Sequence, residues 1–117
     1  MSEIIDWGVE AGTNSQGLDK TTINNLISTF YGEEDVVKGV IITQLYVARQ
    51  RGRDEIPFKL GSLIMEHISK IYDKYKDDKE KLRESMEMYL MAFKWSYESK
   101  IRNARNFNEF VLKASGR

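Results

Sequence analysis

The sequence predicts an all-α fold, a single-domain bundle of about five helices, and three observations carry that prediction. Apolar residues recur at steps of three and four over most of the chain, which is the period of a helix face. Proline occurs once in 117 residues. The one run rich in β-formers, Val40-Ile41-Ile42-Thr43 followed by Tyr46-Val47, finds no second segment that reads as a partner strand, so it is read as helix rather than buried strand. A hydrophobic content of 41% and a charged content of 31% describe a soluble globular chain, and its length suffices for one core and not for two.

Taken in order, residues 1–18 hold Ile4, Ile5 and Trp7 and then a polar, glycine-bearing run from Gly8 to Gly17, which reads as a docking segment and a flexible loop ahead of a helical domain over 19–117. Asp19 suits an N-cap, and Leu18 with Ile23 has the spacing of a hydrophobic staple, so a helix is expected over 20–31 with Ile23, Leu26, Ile27 and Phe30 as its stripe. Gly32 ends it. The central helix, expected over 33–51, opens on Glu33-Glu34-Asp35 and carries Val37, Ile41, Leu45 and Ala48 on one stripe. Its apolar density over Val40–Ala48 predicts burial on nearly all sides, so that Asp in place of Ile41 would unfold the domain. Gly52 stops this helix, and Pro57 suits the first residue of the next, over 57–76, with Leu60, Leu63, Ile64, His67, Ile68, Ile71 and Tyr75 facing the core. Asp77 and Glu80 resemble a capping box for a helix over 79–99 carrying Leu82, Met86, Tyr89, Leu90 and Phe93. A break near 96–99 is favoured over one helix to 113, because Asn103, Asn106 and Asn108 are poor helix formers and Phe107 and Phe110 shift the apolar face.

Several chemistries are excluded by what is missing. There is no cysteine and one histidine, which removes thiol nucleophiles, disulfides and the usual zinc sites, and neither a metal nor a cofactor is expected. His67 reads as a packing residue. No phosphate-cradling glycine loop or nucleophile–base pair is present, so the chain is not read as an enzyme. No apolar run is long enough to span a bilayer and no secretion signal opens the chain, which predicts a cytoplasmic protein without membrane contact.

Net charge is zero but unevenly placed, with one basic residue against seven acidic over 1–35, five against two over 36–60, and six against two over 94–117. Arg49, Arg51 and Arg53 close the central helix, and Lys100, Arg102 and Arg105 belong to a basic C-terminal stretch with Lys94, Lys113 and Arg117. Guanidinium groups at helix ends, interleaved with Tyr46, Tyr97 and Phe107, suit contact with nucleic-acid phosphates; a solvated, internally paired face is the alternative. Met88, Met91 and Trp95 lie together off the main stripe of the fourth helix and suggest a second apolar face for a partner chain.

The order Leu18-x4-Ile23-x2-Leu26-Ile27-x2-Phe30-Tyr31-Gly32, then Leu45-Tyr46-x-Ala48-Arg49-x2-Gly52-Arg53, then Met88-Tyr89-x-Met91-Ala92-x3-Ser96-Tyr97, resembles the small helical subunit of type III (Csm-type) CRISPR effector complexes. The likeness spans about residues 18–99. It implies a helical bundle without enzymatic activity, present in several copies along the crRNA and target RNA and touching both its own copies and the backbone subunits of the complex. The family's arginine falls on Arg49, with Arg53 beside it. Asn24 or Asn25 stands where the family usually has an arginine, Leu90 or Met91 where it usually has a glutamate, and residues 100–117 run past its typical end. Two other readings compete: a homo-oligomeric protein–protein adaptor using Trp95 and the methionines, and a DNA-binding regulator, disfavoured because no recognition helix can be placed.

Overall fold

A computed structural model describes residues 2–116. Six α-helices and no strand occur among them: α1 Ser2–Thr13, α2 Lys20–Tyr31, α3 Val36–Gly52, α4 Phe58–Tyr75, α5 Lys79–Glu98 and α6 Phe107–Ala114. The all-α expectation holds, with one helix more than predicted. The chain groups into two compact units, one of residues 1–17 and 85–117, the other of residues 18–84.

The unit over 18–84 is built on α2, α3 and α4. α3 packs against both of its neighbours, and its capping follows the sequence: Asp35 accepts from Val37 N at 2.9 Å and from Lys38 N at 3.4 Å. That cap starts the helix three residues later than the acidic run suggested. Pro57 is the residue before α4 rather than its first, in extended conformation. α5 is capped by Asp78, which accepts from Lys81 N at 3.1 Å, and not by Asp77. Ile23, Leu26, Phe30, Val36, Val40, Val47, Ile56, Ile64, Ile68 and Ile71 are buried here. Arg83 Nη2 donates to the Glu34 carbonyl and ties the start of α5 to the α2–α3 turn.

The buried face of α3 corrects the sequence reading. Val36, Gly39, Val40, Thr43, Val47 and Gln50 are buried, whereas Ile41 is 53% exposed and Leu45 65% exposed. α3 thus buries one stripe, and the stripe chosen from apolar count alone, Val37, Ile41, Leu45 and Ala48, includes its open side. Gly39 explains the choice: its missing Cβ leaves room for the Phe30 ring, 3.2 Å from where that atom would stand.

In the other unit α1 replaces the expected flexible segment and loop. Gly8 and Gly12 lie one turn apart on α1 and are buried. A Cβ on Gly8 would stand 2.6 Å from Ala92 Cβ, and one on Gly12 would clash with Ser96 Oγ and the Phe93 carbonyl. These glycines let two helix backbones approach, a use that polarity statistics for loops miss. Ile4, Val9, Ala11, Tyr89, Leu90 and Phe93 are buried around this contact, with Tyr89 and Phe93 meeting edge to face at 6.1 Å. Val9, Ala92 and Ala104 form a small cluster on which Ile5 and Phe110 pack.

Candidate nucleic-acid interface

The C-terminus of α3 is shaped by its own backbone. Arg53 N donates to the Arg49 carbonyl at 3.0 Å, and Glu55 N and Ile56 N both donate to the Gln50 carbonyl at 2.8 and 3.2 Å. Asp54 takes a φ of 62°, a left-handed conformation that aspartate tolerates better than most residues. Ile56 is wholly buried beneath this turn. The result holds Arg49 and Arg53 exposed one helical turn apart, and neither enters an ion pair among the described residues.

Arg51, expected as an RNA contact with them, is engaged by α4 instead. Its Nη1 donates to Ser62 Oγ at 2.8 Å, its guanidinium carbon lies 4.4 Å from the Phe58 ring centroid, and its stem fills the space where a Cβ on Gly61 would come to 2.9 Å. The ring it stacks on is 70% exposed. Sequence reasoning missed Phe58; its signal was an aromatic residue directly after Pro57 and off the Leu60–Ile64–Ile68–Ile71 stripe. An exposed ring held by a guanidinium offers a face on which an unpaired base can stack.

Tyr46 lies near Arg49. Burial raises its hydroxyl above the usual range, while a hydrogen bond with the Asn25 side chain and the charge of Arg49 act the other way. Asn25, at one of the two places where the resembled family has an arginine, therefore lies beside Tyr46, next to Arg49. Asp54 and Glu55 are exposed in the adjoining turn, so the positive potential here is local.

Lys100, Arg102 and Arg105 belong to the other unit. Their loop includes two residues with positive φ, Lys100 at 63° and Asn103 at 59°, and it is fastened to the end of α1. Asn103 N donates to the Thr13 carbonyl at 3.1 Å and Ala104 N to Thr13 Oγ1 at 3.0 Å, while Gln16 Nε2 donates to the Tyr97 carbonyl at 2.8 Å. Lys100 and Arg102 are exposed. Arg105 is committed to Glu109, with Nε and Nη2 each 3.1 Å from Oε2, and these bonds hold the Glu109 carboxyl below its ordinary range. Two of the six basic candidates, Arg51 and Arg105, thus have internal partners.

The candidate partner face on α5 is partly open: Trp95 is 64% and Met91 38% exposed, and Met88 is half-buried. Among the described residues no group of three or more histidine or carboxylate side chains is placed to hold a metal ion, and no helix is long and apolar enough to cross a membrane. Compared with known protein families, curated proteins and solved structures, the chain matches none.

Proposed function

We propose that this protein is a non-catalytic RNA-binding small subunit of a CRISPR guide-RNA effector complex, holding the guide and target RNA by backbone phosphates. The observation that carries the reading is the exposed pair Arg49 and Arg53, one turn apart, within the Tyr46-x-Ala48-Arg49-x2-Gly52-Arg53 segment on which the resemblance rests, together with the exposed Phe58 ring that Arg51 of the same segment stacks on. Guanidinium forks pair with phosphates irrespective of base, and an aromatic face accepts any base, so the site suits a subunit that follows a strand without reading it. Arg51 acts within the site by holding Phe58, and Lys100 and Arg102 add exposed charge in the other unit.

The test is filter binding of single-stranded RNA to the full chain and to the Arg49→Ala/Arg53→Ala double variant across a salt series. The variant is expected to stay folded, to lose affinity about equally for all sequences, and to lower the slope of log affinity against log salt by about 1.4, roughly 0.7 for each lost single-strand contact. An unchanged slope rejects the site. A second reading, a protein adaptor without RNA binding, is favoured by the exposed Trp95 and Met91. It predicts no RNA binding by either protein, and loss of partner association in Trp95→Ala.

A further inference from the structure

Two apolar surfaces of the chain lie uncovered, and they match in length and in charge. One is a groove of about 460 Å³ between α3 and α4, lined among others by Ile41, Leu45, Ala48, Met65, Tyr72 and Asp73. Gln44 sets its floor, donating from Nε2 to the Met65 carbonyl at 2.9 Å and to Ser69 Oγ at 3.0 Å. The other is α6, eight residues of which none is buried. Phe110 packs toward its own unit, but Val111 is 42% and Leu112 66% exposed, so the helix is apolar on a second side as well.

We propose that α6 of one copy docks into the α3–α4 groove of another. Eight helical residues extend about 12 Å, and the groove wall from Ile41 to Ala48 runs about 10 Å, so the helix and its seat agree in length. Asp73 is the one acidic or basic residue in the lining, and the segment 100–117 that presents α6 carries five basic residues against one acidic. Lys113, next to Leu112, donates to the carbonyls of Arg102 at 3.1 Å and Asn103 at 3.4 Å. An ammonium has three protons, so one remains for Asp73. Helix-in-groove docking of this kind uses neighbouring apolar anchors and a charged end to fix direction. Because groove and helix are different surfaces, each copy offers one of each, and the contact is head-to-tail. The proposal deepens the multi-copy part of the reading above, and its test contains no RNA, so its failure and failure of the arginine site are read separately.

The experiment is sedimentation velocity of the full chain over a wide concentration range, with Leu45→Asp and Leu112→Asp variants whose fold is checked by circular dichroism. The unaltered protein should associate in a concentration-dependent way. Each variant alone should stay monomeric, and their equimolar mixture should give a dimer and nothing larger, since only one intact groove and one intact α6 remain per pair. Asp73→Asn should weaken association about two- to fivefold, the range of an exposed ion pair. If aspartate disturbs either helix, Leu45→Ser and Leu112→Ser serve in the same design. A wild-type protein that is monomeric throughout, a closed dimer indifferent to Leu112→Asp, a mixture that stays monomeric, or an Asp73→Asn variant that associates unchanged overturns the proposal.

Discussion

His67 is 2% exposed on α4, and burial, with a smaller contribution from Lys70, lowers its pKa to about 4. An unfolded histidine titrates near 6.5, so between pH 6.5 and 4 the unfolded chain binds a proton that the folded chain refuses, and stability falls as pH falls through that window. The loss should reach about 3 kcal/mol by pH 4, read as a decline in the urea midpoint that flattens in His67→Gln. A midpoint that declines equally in both proteins over this window refutes the assignment. Phe58 is the residue-scale counterpart at the surface: Phe58→Ala should leave the urea midpoint nearly unchanged, since the ring is 70% exposed. It should weaken single-stranded RNA binding by about 1–3 kcal/mol, the worth of one stacked base. Equal RNA affinity for the two proteins would remove stacking from the site. At this scale the sequence made the arginines visible but not their partners: Arg51 and Arg105 carry the same charge as Arg49 and Arg53, and only the positions of Ser62, Phe58 and Glu109 separate them.

The helices themselves were legible where their ends and a single stripe agreed. α2 begins after Asp19 and ends before Gly32, with Ile23, Leu26 and Phe30 buried, as its spacing predicts, although the Asp19 side chain makes no cap hydrogen bond. α3 was legible as a helix but not in its orientation, because Val36, Val40 and Val47 on one side and Ile41, Leu45 and Ala48 on the other are equally apolar, and burial was decided by Gly39 facing Phe30. Val40→Asp should therefore unfold the chain by burying an unpaired charge, whereas Ile41→Asp should cost less than about 1 kcal/mol, both measured by urea titration. Equal losses at the two positions would contradict this face. α1 was hidden for a different reason: its glycines resemble those of a loop, and the small pair that accepts them, Ala92 and Ser96, lies some eighty residues away in sequence. Gly12→Ala should destabilise by about 1–3 kcal/mol, the usual cost of overpacking, although alanine is the better helix former. A stabilised Gly12→Ala variant would mean that α1 and α5 do not approach as closely as described.

At the scale of the whole molecule the charges balance twice over. Residues 18–84 carry twelve basic and twelve acidic side chains, and residues 1–17 with 85–117 carry six of each. Neither unit projects a net field, so one copy should hold a single RNA strand weakly, through a few local contacts. Affinity useful at physiological salt then has to come from copies in series, whose second and later contacts form at the high effective concentration set by the first. Fluorescence anisotropy with single-stranded RNAs of increasing length should accordingly show affinity per copy rising with length, and a salt slope growing by about 1.4 for each copy that brings Arg49 and Arg53 to phosphates. Leu112→Asp should abolish the rise with length while leaving the affinity for the shortest RNA unchanged, since Leu112 carries no charge to a phosphate. Arg49→Ala/Arg53→Ala should lower affinity at every length. If affinity per copy stays flat across lengths in the unaltered protein, the copies bind independently, and neutral charge would have to be overcome by partner subunits rather than by neighbours of the same chain.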